Sequence, residues 1–168
     1  MKKNIFSLLF LFIIFNMSAQ VNTFQNNNDK PFVVNGKQVS KMISKWETTL
    51  YFYEIKEKNL IISEVILDKK EIELQRLNIT KIPLNKIQKG KNIPEFVKEK
   101  NEAFIPEDVC KIIFLSNETN VSHFSKKSVE LYEEGKKDTV EKTTFEFIYF
   151  PNEKDAKAFL EEINKKLK

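Results

Sequence analysis

Glycine is nearly missing from this 168-residue chain, with only Gly36, Gly90 and Gly135. Three glycines cannot build the usual phosphate-cradling loop of nucleotide-binding proteins, and they argue against several domains on flexible linkers. Cysteine, histidine and arginine occur once each, as Cys110, His123 and Arg76. The lone cysteine excludes an intrachain disulfide, and one imidazole excludes both a multi-His metal site and a Cys/His zinc cluster. One arginine supplies planar, bidentate recognition of phosphate or carboxylate poorly. No cofactor motif is present, so no cofactor is expected.

The apolar run at the start is too short to span a bilayer. Lys2 and Lys3 precede Ile5 to Phe15, 11 residues interrupted only by Ser7, and Asn16-Met17-Ser18-Ala19 leads to a small residue. A spanning helix needs roughly 20 apolar residues, so residues 1–19 read as a cleavable signal peptide, with an uncleaved anchor as the alternative. Without Lys2 and Lys3 the 28 basic residues fall to 26, against 24 acidic ones. A net charge of +2 gives little support to a nucleic-acid partner. The exported chain is expected in a bacterial periplasm or outside the cell, with no integral membrane segment after cleavage.

Residues 20–30 are polar and aperiodic and read as a flexible leader. Residues 31–168 suit a single β-rich domain. Phe32-Val33-Val34, Asn35-Gly36 and Lys37-Gln38-Val39 carry a hairpin signal. Val39, Met42, Ile43, Trp46 and Leu50 recur at helical spacing, so a short helix over about 40–47 is also expected. Strands are predicted around 51–55, 60–67 and 72–79, with Lys58-Asn59 making the first turn. The apolar parity switches after Arg76, as a bulge or bend makes it do. Residues 95–104, between Pro94 and Pro106, leave room for one or two helical turns. Strands resume at 111–115, 121–124, 128–133 and 145–149. Asn152 caps a helix over 152–167 whose stripe of Ala156, Phe159, Leu160, Ile163 and Leu167 must be buried. The expected class is α+β, mainly β: a bent antiparallel sheet or small barrel packed by a C-terminal helix.

Lys81-Ile82-Pro83-Leu84-x-x-Ile87, followed by strands and then Phe150-Pro151-Asn152-Glu153-x-x-Ala156-x-x-Phe159-Leu160-x-x-Ile163, resembles the pleckstrin-homology-like and GRAM-like barrels over about residues 48–167. The resemblance implies a bent seven-stranded sheet plugged by a C-terminal helix. Phosphoinositide-binding members carry Lys and Arg in the first hairpin loop. The turn Lys56-Glu57-Lys58-Asn59 is charge-mixed and lacks Arg, so that ligand is not implied. Many such domains are protein-binding scaffolds.

Candidates for chemistry are few. Cys110 leads into an apolar strand and is expected to be buried; His123 reads as an ordinary strand residue rather than its catalytic partner. Glu133, Glu134 and Asp138 read as a solvated turn. Thr139, in Asp138-Thr139-Val140, resembles an O-glycosylation acceptor of some bacteria, and Asn78, Asn117 and Asn120 fit the N-glycosylation pattern, which matters only in a eukaryotic source. If the strands close, Tyr51, Tyr53, Phe145, Phe147 and Tyr149 line the interior, either as a filled core or as a cavity for a lipid-like ligand. The favoured function is a non-catalytic binding or scaffold domain for a protein or envelope component. A carrier of an apolar ligand is the alternative, and an enzyme comes third.

Overall fold

A computed structural model describes residues 20–24, 31–90, 93–119, 121–127 and 140–167, with no side chains for 123–127. The β-branched and aromatic runs of the central segment form an antiparallel meander. Its strands are β3 (Lys37–Ser44), β4 (Glu47–Lys56), β5 (Asn59–Asp68) and β6 (Leu74–Pro83). The β4–β5 turn is Glu57-Lys58, one residue earlier than expected. Both residues have positive φ, as a type I′ turn requires. In β6, Ile66 faces Arg76 while Leu67 faces Leu74, so Gln75 is the extra residue of a bulge where the sequence changes parity.

Both faces of the meander are covered, which is why Thr48 to Tyr53 are buried without alternation. One face holds Leu50, Phe52, Val65, Leu67, Leu74 and Leu77 under Phe24, Phe32 and Val34. These last residues belong to a small sheet of β1 (Val21–Phe24) and β2 (Phe32–Asn35). The polar leader reading therefore fails for Val21–Phe24. Asn22 donates its amide to the Val34 and Gly36 carbonyls at 3.4 and 3.1 Å, and Phe24 packs edge-on to Phe52 at 5.9 Å. Residues 25–30 lie outside the described residues, as do 1–19.

Asn35-Gly36 is not a hairpin turn. β2 pairs with β1 while β3 pairs with β4, and Gly36 is the joint between the two sheets. Its φ is +114°, and a Cβ there would stand 2.5 Å from the Tyr53 carbonyl oxygen. The expected helix over 40–47 is also absent, because those residues form the end of β3, a two-residue link and the start of β4. A register shift between Gln38 and Ser40 and the burial of Ser40 and Ser44 beside Met42 produce helix-like spacing in a strand.

The opposite face holds Tyr51, Tyr53, Leu60, Ile62 and Ile82. It is covered by a three-stranded sheet of β7 (Glu95–Lys100), β9 (Asp108–Leu115) and β12 (Phe145–Phe150). The helical turns expected over 95–104 are instead β7 and the two-residue β8 (Phe104–Ile105), which pairs with β3. β10 (Val121–Lys127) pairs with β6, and β11 (Val140–Thr143) pairs with β10. The strand and turn expected over 128–138 lie outside the described residues.

The helix α1 (Glu153–Lys166) forms where its apolar stripe predicts it. Asn152 Oδ1 accepts from the Asp155 amide at 2.9 Å, and acidic residues occupy the first turn with Lys165 and Lys166 in the last. Ala156, Phe159 and Ile163 are buried against Phe114 and Phe150. The outcome is a bent antiparallel sheet packed by a helix, not a closed barrel.

Candidate functional site

Residues 62, 64, 66 and 68 of β5 share one face and lead from the core to the open end of the meander. Ile62 is core, and Glu64 sits in a cavity of about 70 Å³ with Tyr51, Asn78, Thr80, Glu146 and Phe147. Tyr51 Oη donates to Glu64 Oε1 at 2.8 Å, and Asn78 Nδ2 donates to Glu64 Oε2. Thr80 Oγ1 donates to Glu146 Oε2, while Glu146 Oε1 accepts from the Phe147 amide at 2.9 Å. Burial and the neighbouring Glu64 hold the Tyr51 phenol well above its ordinary value, so it stays a donor. Each carboxylate oxygen thus has a donor, and the two glutamates are held in one polar network. Asn78 Oδ1 is buried without a partner.

Of the five aromatics expected inside, the structure buries only Tyr51 and Tyr53. Tyr53 packs edge-on to Phe159 at 5.3 Å and donates to Glu162 Oε1 at 2.6 Å. Lys166 donates to Tyr53 Oη at 2.8 Å, and Lys37 pairs with Glu162 at 2.6 Å. Ile148 and Phe150 of β12 take the fully buried positions, while Phe147 lines the Glu64 cavity, Tyr149 packs half-buried against the core, and only Phe145 is exposed. Phe145 lies opposite Leu115, Phe147 opposite Ile113, and Tyr149 opposite Lys111. The sheet face opposite Ile148 and Phe150 is therefore apolar, and it reaches the surface at Phe145. Phe145 is 48% exposed and stacks with Phe147 at 6.4 Å. Phe147 meets Tyr149 at 5.1 Å, and Tyr149 meets Phe104 at 5.0 Å. Lys111 borders this row, 5.9 Å from the Phe147 ring and 2.6 Å from Glu99. Ile113, Leu115 and Val97 on the same face are half-buried.

Cys110 is buried in β9, as expected. Burial and the Glu153 carboxylate raise its thiol pKa, which keeps it a poor nucleophile. His123 lies in β10, in a different sheet from Cys110. No group of three or more His, Cys, Asp or Glu side chains that could hold a metal is found among the described residues. Thr139, Glu133, Glu134, Asp138 and Asn120 lie outside those residues. Asn78 is committed to Glu64, whereas Asn117 is exposed. No helix of the described residues is long and apolar enough to cross a membrane.

Sequence reasoning missed Glu64 and Glu146. A single Glu inside the apolar run of β5 was the available signal, since a charged group on a buried face requires partners. No family model, curated protein or solved structure matches the chain, and the family resemblance rests on its sequence elements alone.

Proposed function

We propose that the protein is an exported, non-catalytic binding domain of a bacterial cell envelope, holding a protein partner on the outer face of its three-stranded sheet. The signal-like residues 1–19 support export to a periplasm or beyond. The observation that carries the reading is Phe145, 48% exposed and stacked on the half-buried Phe147 beside Leu115, at the edge of a sheet face that also carries Lys111 and Glu99. An apolar patch within a polar rim is the anatomy of a protein interface, and aromatic residues supply most of its binding energy.

The carrier reading draws no support from the interior. Phe159 meets Tyr53, Phe150 and Phe114 at ring distances of 5.3, 5.5 and 6.3 Å, a packed aromatic cluster under the helix. Mass spectrometry of solvent extracts from the purified protein separates the two. A clean extract is expected; a stoichiometric lipid would sink the proposal.

A further inference from the structure

We propose that the groove at the open end of the meander binds a short zwitterionic peptide, with its carboxylate on Arg76 and its ammonium against Glu47 and Asp68. The groove, about 570 Å³, is lined by Trp46, Glu47, Ile66, Asp68, Gln75 and Arg76. It therefore collects the only Trp and the only Arg of the chain. Its location is separate from the aromatic face, and the inference does not depend on what docks there.

Each side chain is set in place by a local device. Trp46 lies in the two-residue link between β3 and β4, where Ser44 Oγ accepts from the Trp46 and Glu47 amides at 3.1 and 2.9 Å. That fixes the backbone while the indole stays 72% exposed. The bulge at Gln75 turns Gln75 and Arg76 together towards the groove, and re-aiming a side chain is a common use of a bulge. Asp68 Oδ1 accepts from the Ile72 and Glu73 amides at 2.7 and 2.9 Å. These bonds lower its pKa, so it is ionised at neutral pH.

The charges on the two sides of the groove do not neutralise one another. Among the described residues neither Arg76 nor Glu47 has an ion-pair partner. Ile66 lies opposite Arg76 and Asp68 opposite Glu47. Strand geometry then sets Asp68 and Glu47 roughly 8 and 12 Å from Arg76 between Cα atoms. The termini of a di- or tripeptide, at roughly 3.5 Å per residue, suit such a separation better than the adjacent charges of a free α-amino acid. Arg76 offers a planar fork to a carboxylate, and Trp46 with Ile66 offers apolar contact to the peptide body.

Trp46 is its own reporter. Dialanine and trialanine are titrated into the purified protein and followed by tryptophan emission, with calorimetry on the same samples. Saturable binding is expected, weaker by about tenfold or more when the peptide is N-acetylated or C-amidated, as each block removes one charge-assisted contact. Arg76→Gln should weaken the free peptide by a similar factor, leave the C-amide unchanged, and preserve the melting temperature. A Phe145→Ser/Phe147→Ser variant should bind the peptides normally. No saturable binding by either method would overturn the proposal, as would equal binding of blocked peptides, equal binding of free alanine, or indifference to Arg76→Gln.

Discussion

Phe159→Ala is the sharpest test of how α1 holds the fold together. Phe159 is 3% exposed and its ring meets Tyr53, Phe150 and Phe114 at 5.3, 5.5 and 6.3 Å. Truncating a buried Phe to Ala costs about 3–5 kcal/mol, from lost transfer energy and the cavity left behind. The three ring contacts place this site towards the upper end, since aromatic pairs add to area burial. A loss of about 4 kcal/mol is a large part of the 5–15 kcal/mol that typically stabilises a domain, and corresponds to a drop in melting temperature of about 8–16 °C at this size. Urea melts followed by far-UV circular dichroism and by Trp46 emission would read it. Phe159→Leu, which keeps most of the volume, should cost much less. A loss below about 1 kcal/mol for Phe159→Ala would refute the placement of the helix, because no fully packed Phe is that cheap to remove.

Three further outcomes follow from the geometry. Gly36→Ala should destabilise the protein severely in thermal melts, since the new Cβ meets the Tyr53 carbonyl oxygen at 2.5 Å at a φ of +114°; parental melting would show that the joint between the sheets is misplaced. Partial burial alone would raise the Glu162 pKa, but Lys37, Tyr53 and Lys166 outweigh it and hold the carboxyl below 4.5. Its contribution, about 0.5 kcal/mol for so exposed a pair, is therefore full above pH 4.5 and lost as pH falls through the lowered value. Urea melts of the parent and Glu162→Gln should differ at pH 7 and converge towards pH 3; a constant gap would contradict this. Cys110, 2% exposed with a raised thiol pKa, should resist a thiol reagent in the native state and react at once in urea, and rapid native labelling would place it at the surface.

The helix was legible because one amphipathic stripe and one cap act locally: Asn152, Ala156, Phe159 and Ile163 hold the positions their spacing predicts. The bulge near Arg76 was legible from parity alone. What sequence could not supply were choices made between elements. Asn35-Gly36 is built for a turn, but whether its flanks pair with each other or with separate strands depends on Val21–Phe24, whose strand character is hidden in a polar stretch. In β12 the alternation is plain, yet both faces are apolar, so the register against β9 and α1 decides that Ile148 and Phe150 go inward. The same ambiguity made Phe145, Phe147 and Tyr149 look like a core. Glu95 to Lys100 were obscured by the flanking prolines, which carry cis peptides at Ile93-Pro94 and Ile105-Pro106 and bound a strand rather than a helix.

The most direct test of surface binding is a photo-crosslinking amino acid at position 145, activated in the producing cells, with position 72 as the comparison. Both parent side chains are exposed, Phe145 at 48% and Ile72 at 59%, but only Phe145 belongs to the aromatic face. The expected result is a discrete protein adduct from position 145, absent from position 72. Equal adducts from both positions, or none from 145, would contradict the assignment of that face as the docking surface.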